Sequence, residues 1–165
     1  MKTTIRLMLF AAFAFAAATA FGQTDAQKAF NAIKNMPGTW EQQSPDGHIL
    51  QVTFKVVSGG SAVMSEIADA KEDMISMIHL DGPNRLLLTH YCAAGNQPRM
   101  EASFSADGKV ITFHYVDATN LATPDAAHMN QMVLTLIDDN HHKEQWVFAG
   151  QGKDHSEVFD LHRKM

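Results

Sequence analysis

The sequence has a single cysteine, Cys92, among its 165 residues. One cysteine cannot form an internal disulfide, so the chain has no disulfide framework and its stability must come from a packed core. In an oxidising compartment Cys92 would be a buried thiol, a bridge to another chain, or a reactive or ligating group. The sequence leaves these three readings open.

Basic residues are also scarce, with 13 Lys and Arg against 18 Asp and Glu. The first 22 residues contain Lys2 and Arg6 but no acidic residue, so the remaining chain has 11 basic and 18 acidic residues and a formal charge of −7. Nucleic acids and anionic membrane surfaces attract basic patches. Neither is therefore predicted as a partner.

The common catalytic and metal-binding motifs are absent. The chain has no His-x-x-x-His, no Cys-x-x-Cys and no Gly-x-Ser-x-Gly elbow. No catalytic residue, metal ligand or cofactor is predicted from motifs. The best site for an enzyme in this sequence would use His90 as a base and Glu157 or Glu144 as an acid, with Asn96, Gln97 and Arg99 as ligand or oxyanion contacts.

The one long hydrophobic run lies at the N-terminus. Lys2 and Arg6 precede an apolar stretch from residue 7 to residue 20, and Ala20-Phe21-Gly22 has small residues at the positions before a cleavage site. The alanine-rich run is short for a membrane span. Residues 1–22 are therefore predicted to be a signal peptide, and residues 23–165 to form one exported domain, periplasmic or secreted, with no membrane association after cleavage.

Residues 24–35 are predicted to form a short amphipathic helix. Thr24 followed by Gln27 is a capping-box pattern, and Ala26, Ala29, Phe30 and Ile33 recur at helical spacing. Pro37-Gly38 then ends the helix.

After Gly38 the hydrophobic period changes to strand alternation, with segments separated by Gly, Pro, Asn and Asp. The predicted strands are 39–43, 48–57, 61–68, 73–80, 85–92, 99–105, 109–117, 130–138, 143–149 and 155–163. Links this short exclude parallel crossovers. The predicted fold is an all-β, antiparallel up-and-down barrel of about ten strands, because closure removes exposed sheet edges. The longer link at 118–129 contains Thr123-Pro124-Asp125, a helix-start signature, so this link is either a single helical turn that covers a barrel end or a solvated connector.

The stretch Gly38-Thr39-Trp40 at the start of the first strand, together with Arg163-Lys164 at the end of the last, resembles the calycin-like barrels, which include lipocalins and fatty-acid-binding proteins. The chain also resembles exported bacterial domains with a similar start, a Glu-x-Trp-x-Phe strand (residues 144–148) and a Phe-x-Leu-x-Arg-Lys end (residues 159–164). The resemblance implies that Arg163 stacks over Trp40 by a cation–π contact and closes one end of the barrel.

Several polar groups share the alternation phase of the apolar residues, among them His90, Cys92, Glu144, His155 and Glu157. A charged group inside a barrel is costly unless it is paired or hydrated. These positions therefore indicate a lumen that is not fully packed, and favour one that holds a small, largely apolar ligand. The predicted ligand-binding residues are His90, Arg99, Met100, Phe104, Phe113, Tyr115, Trp146 and Glu157.

Two alternatives remain open. The first is a haem- or metal-binding barrel that uses His90 and Cys92, which project to one side of a strand, or His155 near the open end. The second is a structural or partner-binding domain without a ligand. A monomer or a homodimer is expected in each case.

Overall fold

A computed structural model describes residues 22–68, 73–150, 152 and 154–165. It contains one helix, α1 (Asp25–Lys34), followed by strands β1 to β10. The strands are β1 (Gly38–Gln43), β2 (Ile49–Val57), β3 (Ala62–Ala68), β4 (Asp73–Asp81), β5 (Arg85–Tyr91), β6 (Gln97–Phe104), β7 (Val110–Thr119), β8 (His128–Asp138), β9 (His141–Ala149) and β10 (His155–Arg163). All ten predicted strands are confirmed, and their bounds differ from the predicted ones by three residues or fewer.

The ten strands form a closed antiparallel barrel. Each strand pairs with the next along the chain, and β10 pairs with β1. The predicted all-β fold is confirmed. In the part of the chain that the structure describes, no helix is long and apolar enough to cross a bilayer. Most of the predicted signal peptide, residues 1–21, lies outside the described residues.

The helix α1 covers one end of the barrel, here called the closed end. The capping box is present, because the Thr24 hydroxyl accepts from the Gln27 backbone N–H and the Gln27 side chain accepts from the Thr24 backbone N–H. The apolar stripe of α1 is buried against the barrel, with Ile33 fully buried. A hydrogen bond from the Thr24 hydroxyl to the carbonyl of Pro83 ties the start of the helix to the turn between β4 and β5.

Closure of the barrel depends on a short seam between β1 and β10. The ladder between these strands has two residue pairs, Trp40 with Arg163 and Glu41 with His162. The Arg163 guanidinium lies 4.2 Å from the centre of the Trp40 ring, and it donates to the carbonyls of Pro37 at 2.8 Å and Asp139 at 3.1 Å. The stacking expected from the resemblance is therefore present.

Two features of this seam require a glycine at position 38. Its φ of 123° is rarely adopted by residues with a side chain, and a Cβ there would lie 3.3 Å from Nη1 of Arg163. Because Gly38 has no side chain, the Arg163 guanidinium can approach the backbone at the point where the chain leaves α1 and enters β1.

The middle of the barrel is filled by alternating side chains from opposite walls. Val52, Phe54, Leu88, Met100 and Phe113 are all at most 1% exposed. The alternation therefore places the predicted apolar faces inside. The strands supply a solid core at mid-height, and open space remains toward the two ends.

The long link between β7 and β8 does not form the predicted helical turn. It contains a β-turn closed by a hydrogen bond of 3.0 Å from the Ala126 N–H to the Thr123 carbonyl. A single turn has too few internal hydrogen bonds to persist unless neighbours hold it. Here the neighbour is Asn96, whose side-chain amide donates to the Ala127 carbonyl at 2.9 Å and holds the end of the link beside the loop between β5 and β6.

Replacing Arg163 with alanine should lower the free energy of unfolding by about 1–3 kcal/mol, because the cation–π contact and two charged hydrogen bonds are lost together. Urea denaturation of purified protein measures this. Arg99→Ala is the matched control, since Arg99 forms an exposed ion pair with Asp117 and its loss should have a much smaller effect. Equal losses from the two variants would show that the seam does not depend on Arg163.

Candidate functional site

A cavity of about 340 Å³ lies at the end of the barrel opposite α1, here called the open end. Its walls are mostly apolar and include two methionines and three aromatic side chains. The lining residues are Ile67, Met74, Cys92, Ala93, Ala94, Met129, Trp146, Phe148, His155, Glu157 and Phe159. They come from β3, β4, β8, β9, β10 and the loop between β5 and β6.

The loop between β5 and β6 forms one wall of the cavity because it folds back tightly. The Gly95 N–H donates to the Cys92 carbonyl at 2.9 Å, and the Cys92 N–H donates to the Asn96 carbonyl at 3.1 Å. Gly95 has a φ of 83°, which the reversal requires. The short alanines Ala93 and Ala94 then stand at the mouth and leave it open.

Beneath the cavity, a histidine and a tryptophan meet across the lumen. Trp146 of β9 lines the cavity, and its ring centre lies 4.8 Å from that of His90 on β5, the opposite wall. His90 is fully buried, and its Nδ1 lies 3.0 Å from the hydroxyl of Ser76, its partner across β4 and β5. No hydrogen-bond partner lies within reach of Nε2 among the described residues.

A buried carboxyl group, that of Glu144, lies next to Trp146 on the inside of the barrel. His90, Trp146, Glu144 and His142 form a connected row of side chains, here called the polar line. Glu144 is 0% exposed, and it accepts a hydrogen bond of 3.0 Å from the indole N–H of Trp146. Its other oxygen lies 3.3 Å from Nε2 of His142. Buried polar groups are expected to be satisfied in this way. Both carboxyl oxygens of Glu144 are thus occupied, and the carboxyl group orients the tryptophan that forms the cavity floor.

The line ends at the closed end of the barrel. The His142 ring packs edge-on against Trp40 with ring centres 4.4 Å apart. His142 follows the turn between β8 and β9, where a polar residue is expected to meet solvent, yet it is only 1% exposed. β9 begins at His141, so the alternation of Glu144 and Trp146 extends back by two residues and carries His142 into the lumen. That alternation was the signal that could have identified it.

The predicted ligand-binding residues fall into three places. Trp146 and Glu157 line the cavity, and His90 lies beneath it. Met100 and Phe113 are 0% exposed in the packed core. The other three lie elsewhere: Phe104 borders the helix end of the barrel, Tyr115 packs its ring 4.4 Å from His128, and Arg99 is exposed in an ion pair with Asp117.

Arg99 faces outward because it neighbours the inward-facing Met100 in the same strand. An extended strand sends successive side chains to opposite faces, so these two residues cannot both enter the lumen. The cavity at the open end therefore takes its polar groups from β10, where His155 and Glu157 are exposed at its edge.

Burial shifts the titration of His90. Removal of the imidazole from water lowers its pKa from 6.5 to about 4. His90 is thus neutral over the ordinary pH range, which suits a ring packed against an indole.

A second cavity, of about 510 Å³, lies at the closed end between α1 and the turn joining β8 and β9. It is larger, but its rim is charged, with Lys109, Asp138, Asp139 and Arg163 among its lining residues. Arg163 is already engaged with Trp40 and two carbonyls. The chemistry of this second cavity is that of a solvated cleft beside a structural contact, so the open end is the better candidate for an apolar ligand.

Comparisons with known proteins support the fold. The crystal structure of Rv2717c from M. tuberculosis matches this chain with a TM-score of 0.56 and 16% sequence identity, over 83% of this chain and 98% of that one. No protein-family model and no curated protein matches the sequence. A likeness at this level of identity shows a shared fold alone, because one fold carries many functions.

The depressed pKa of His90 should make stability fall as the pH is lowered from about 6.5 to about 4. In that window the unfolded chain binds a proton that the folded chain does not, so the free energy of unfolding declines by about 3 kcal/mol. Urea denaturation at several pH values measures this. His90→Asn, which keeps an amide for Ser76, should flatten the pH dependence in this window.

The control is His114→Asn, a substitution on the outer wall, which should keep the wild-type slope. A His90→Asn protein with an unchanged slope would show that His90 is not the group that titrates.

Proposed function

We propose that this protein is an exported, calycin-like barrel that binds one small, largely apolar molecule in the cavity at its open end. The observation that carries this proposal is a concave, mostly apolar space with a few polar groups at its edge, which is the usual form of a small-molecule site. In this proposal residues 1–22 are the signal peptide, and the exported domain acts as a monomer or homodimer.

The size and lining of the cavity indicate the class of ligand. A volume of about 340 Å³ is near the low end of the range of about 300–1,000 Å³ for ligand pockets. Methionine and aromatic side chains adapt to flat or irregular apolar shapes. A compact aromatic or branched molecule fits this space better than a long acyl chain, whose path is blocked by the packed core.

The polar groups indicate how such a ligand would be oriented. Glu157 and His155 lie at the exposed side of the cavity, whereas Trp146 forms its inner surface. The ligand would place its apolar part against Trp146 and a polar, hydrogen-bond-donating or cationic end beside Glu157. The hydrogen bond from Trp146 to Glu144 keeps the indole in position without a contribution from the ligand.

Binding can be measured with 1-aminoanthracene, an apolar probe whose fluorescence rises in a dry site. We expect saturable binding to the wild-type protein and a loss of at least about tenfold in affinity, or about 1.4 kcal/mol, in Ala94→Trp. Ala94 is an exposed loop residue at the mouth, so a large side chain there blocks entry while leaving the core intact.

Val116→Trp is the matched control, because Val116 is 54% exposed on β7 and is not among the residues that line the cavity. It should bind the probe like the wild type. An absence of saturable binding, or equal binding by Ala94→Trp, would contradict the cavity as a ligand site and favour a structural or partner-binding role.

A haem held by His155 is the second candidate. It is favoured by one observation, an exposed imidazole at the edge of an apolar slot that also contains Met74 and Met129. His155 would supply the axial nitrogen, and the aromatic and thioether side chains would pack on the macrocycle. A haem held by His90 and Cys92 is less suited to this site, because His90 is fully buried and its ring packs against Trp146.

If haem is bound in this way, titration with hemin should produce a shifted, saturable Soret band that is lost in His155→Ala and retained in His48→Ala. Equal spectra for the two variants, or a broad band typical of free hemin, would exclude His155 as the ligand. The 1-aminoanthracene measurement tests the apolar cavity independently of haem, because binding of this probe requires no histidine.

A further inference from the structure

Three side chains on the outer wall of the barrel bring metal-binding atoms together. His141 of β9 and Asp160 and His162 of β10 place their ligand atoms within 4.8 Å of one another. Nε2 of His141 is 2.5 Å from Oδ1 of Asp160, and Nε2 of His162 is 3.8 Å from the same oxygen. Within the described ranges, no other group of three His, Cys, Asp or Glu side chains meets this condition.

The strand register produces this cluster. His141 and His162 are direct partners across the β9–β10 ladder. Asp160 precedes His162 by two residues, so the same alternation that sends Leu161 into the core places Asp160 and His162 together outside. The two imidazole rings stack with centres 4.2 Å apart and an interplanar angle of 17°. Nε2 of each ring faces the same carboxylate oxygen of Asp160.

Two imidazoles and one carboxylate are the donors preferred by zinc and by neighbouring divalent transition metals, rather than by magnesium or calcium. Bonds of about 2.0–2.1 Å in a tetrahedral site place ligand atoms about 3.3 Å apart. The two Nε2–Oδ1 separations, 2.5 and 3.8 Å, lie on either side of this value. The ligand atoms of all three side chains lie within 4.8 Å of one another, so binding requires the side chains to rotate toward the ion.

We propose that His141, Asp160 and His162 form a binding site for a divalent transition-metal ion, with Zn²⁺ and Cu²⁺ as its preferred occupants. The side chains are 24%, 46% and 65% exposed, respectively, so the ion enters from solvent. Water or a donor from another molecule completes its coordination, as in zinc sites with three protein ligands.

The surroundings of Asp160 suit this role. Nζ of Lys143 lies 2.9 Å from Oδ2, which holds the carboxylate and leaves Oδ1 directed at the histidines. Such outer contacts orient metal ligands and tune affinity.

The site adjoins the seam that closes the barrel. His162 belongs to one of the two residue pairs between β1 and β10, where it faces Glu41. Glu41 is itself paired with Lys164 at 2.6 Å, which limits its competition for the ion. An ion bound to both His141 and His162 would cross-link β9 to the seam residue of β10, so metal binding would also stabilise closure.

Isothermal titration calorimetry tests the site. ZnSO₄ is titrated into protein without a polyhistidine tag, in a non-coordinating buffer at pH 7.5. We expect one equivalent of Zn²⁺ to bind, and a loss of at least about tenfold in affinity in each of His141→Ala, His162→Ala and Asp160→Asn. His114→Ala, a histidine on the outer wall of β7, and His48→Ala, in the turn between β1 and β2, should bind like the wild type.

Electron paramagnetic resonance of the Cu²⁺-loaded protein provides a second readout. Nitrogen hyperfine coupling should indicate two imidazoles in the wild type and one in His162→Ala.

Urea denaturation without metal verifies that the variants are folded. The proposal is overturned if the wild type binds no Zn²⁺, or if His114→Ala lowers the affinity as much as His162→Ala. It is also overturned if the Cu²⁺ spectrum is the same in wild type and His162→Ala. None of these results bears on the cavity at the open end, which shares no residue with this cluster.

Discussion

The structure depends on the short pairing of β1 with β10, where Arg163 stacks on Trp40 and the ladder has two residue pairs. A ten-strand antiparallel sheet without this contact would have two open edges and no defined interior. With it, every strand acquires one face toward a lumen and one toward solvent. The hydrogen bonds from Arg163 to Pro37 and Asp139 connect the seam to the chain entering β1 and to the turn before β9.

Closure of the barrel places several polar side chains in its interior. His142, Glu144 and Trp146 follow one another on the inner face of β9 and satisfy each other by hydrogen bonds. His90 faces them from β5 and packs on Trp146. Both carboxyl oxygens of Glu144 have a partner in this line, whereas Nε2 of His90 and Nδ1 of His142 have none among the described residues. The polar line also holds the indole at the floor of the open-end cavity, which links the packing of the core to the proposed binding site.

The same alternation creates two different chemical surfaces on β9 and β10. Their inner residues, such as Trp146 and Phe159, form the dry wall of the cavity. Their outer residues, His141, Asp160 and His162, form a polar cluster exposed to solvent. The proposed ligand site and the proposed metal site therefore use opposite faces of the same two strands, and a substitution in one need not disturb the other. This separation allows the two proposals to be tested independently.

The sequence by itself determined the strand count, the antiparallel order and the N-terminal helix, because capping residues, turn residues and hydrophobic period are local signals. It also determined that His90 and Glu144 face inward, since alternation needs no knowledge of distant strands. The tertiary structure decided the rest. Some inward residues line open space, as Trp146 does, whereas others, such as Phe113, are packed. This difference depends on the position of the residue along the barrel axis and on the side chains that face it from the opposite wall. The meeting of His141 with His162 depends on the register between two strands, which the side chains of the whole closed sheet set together.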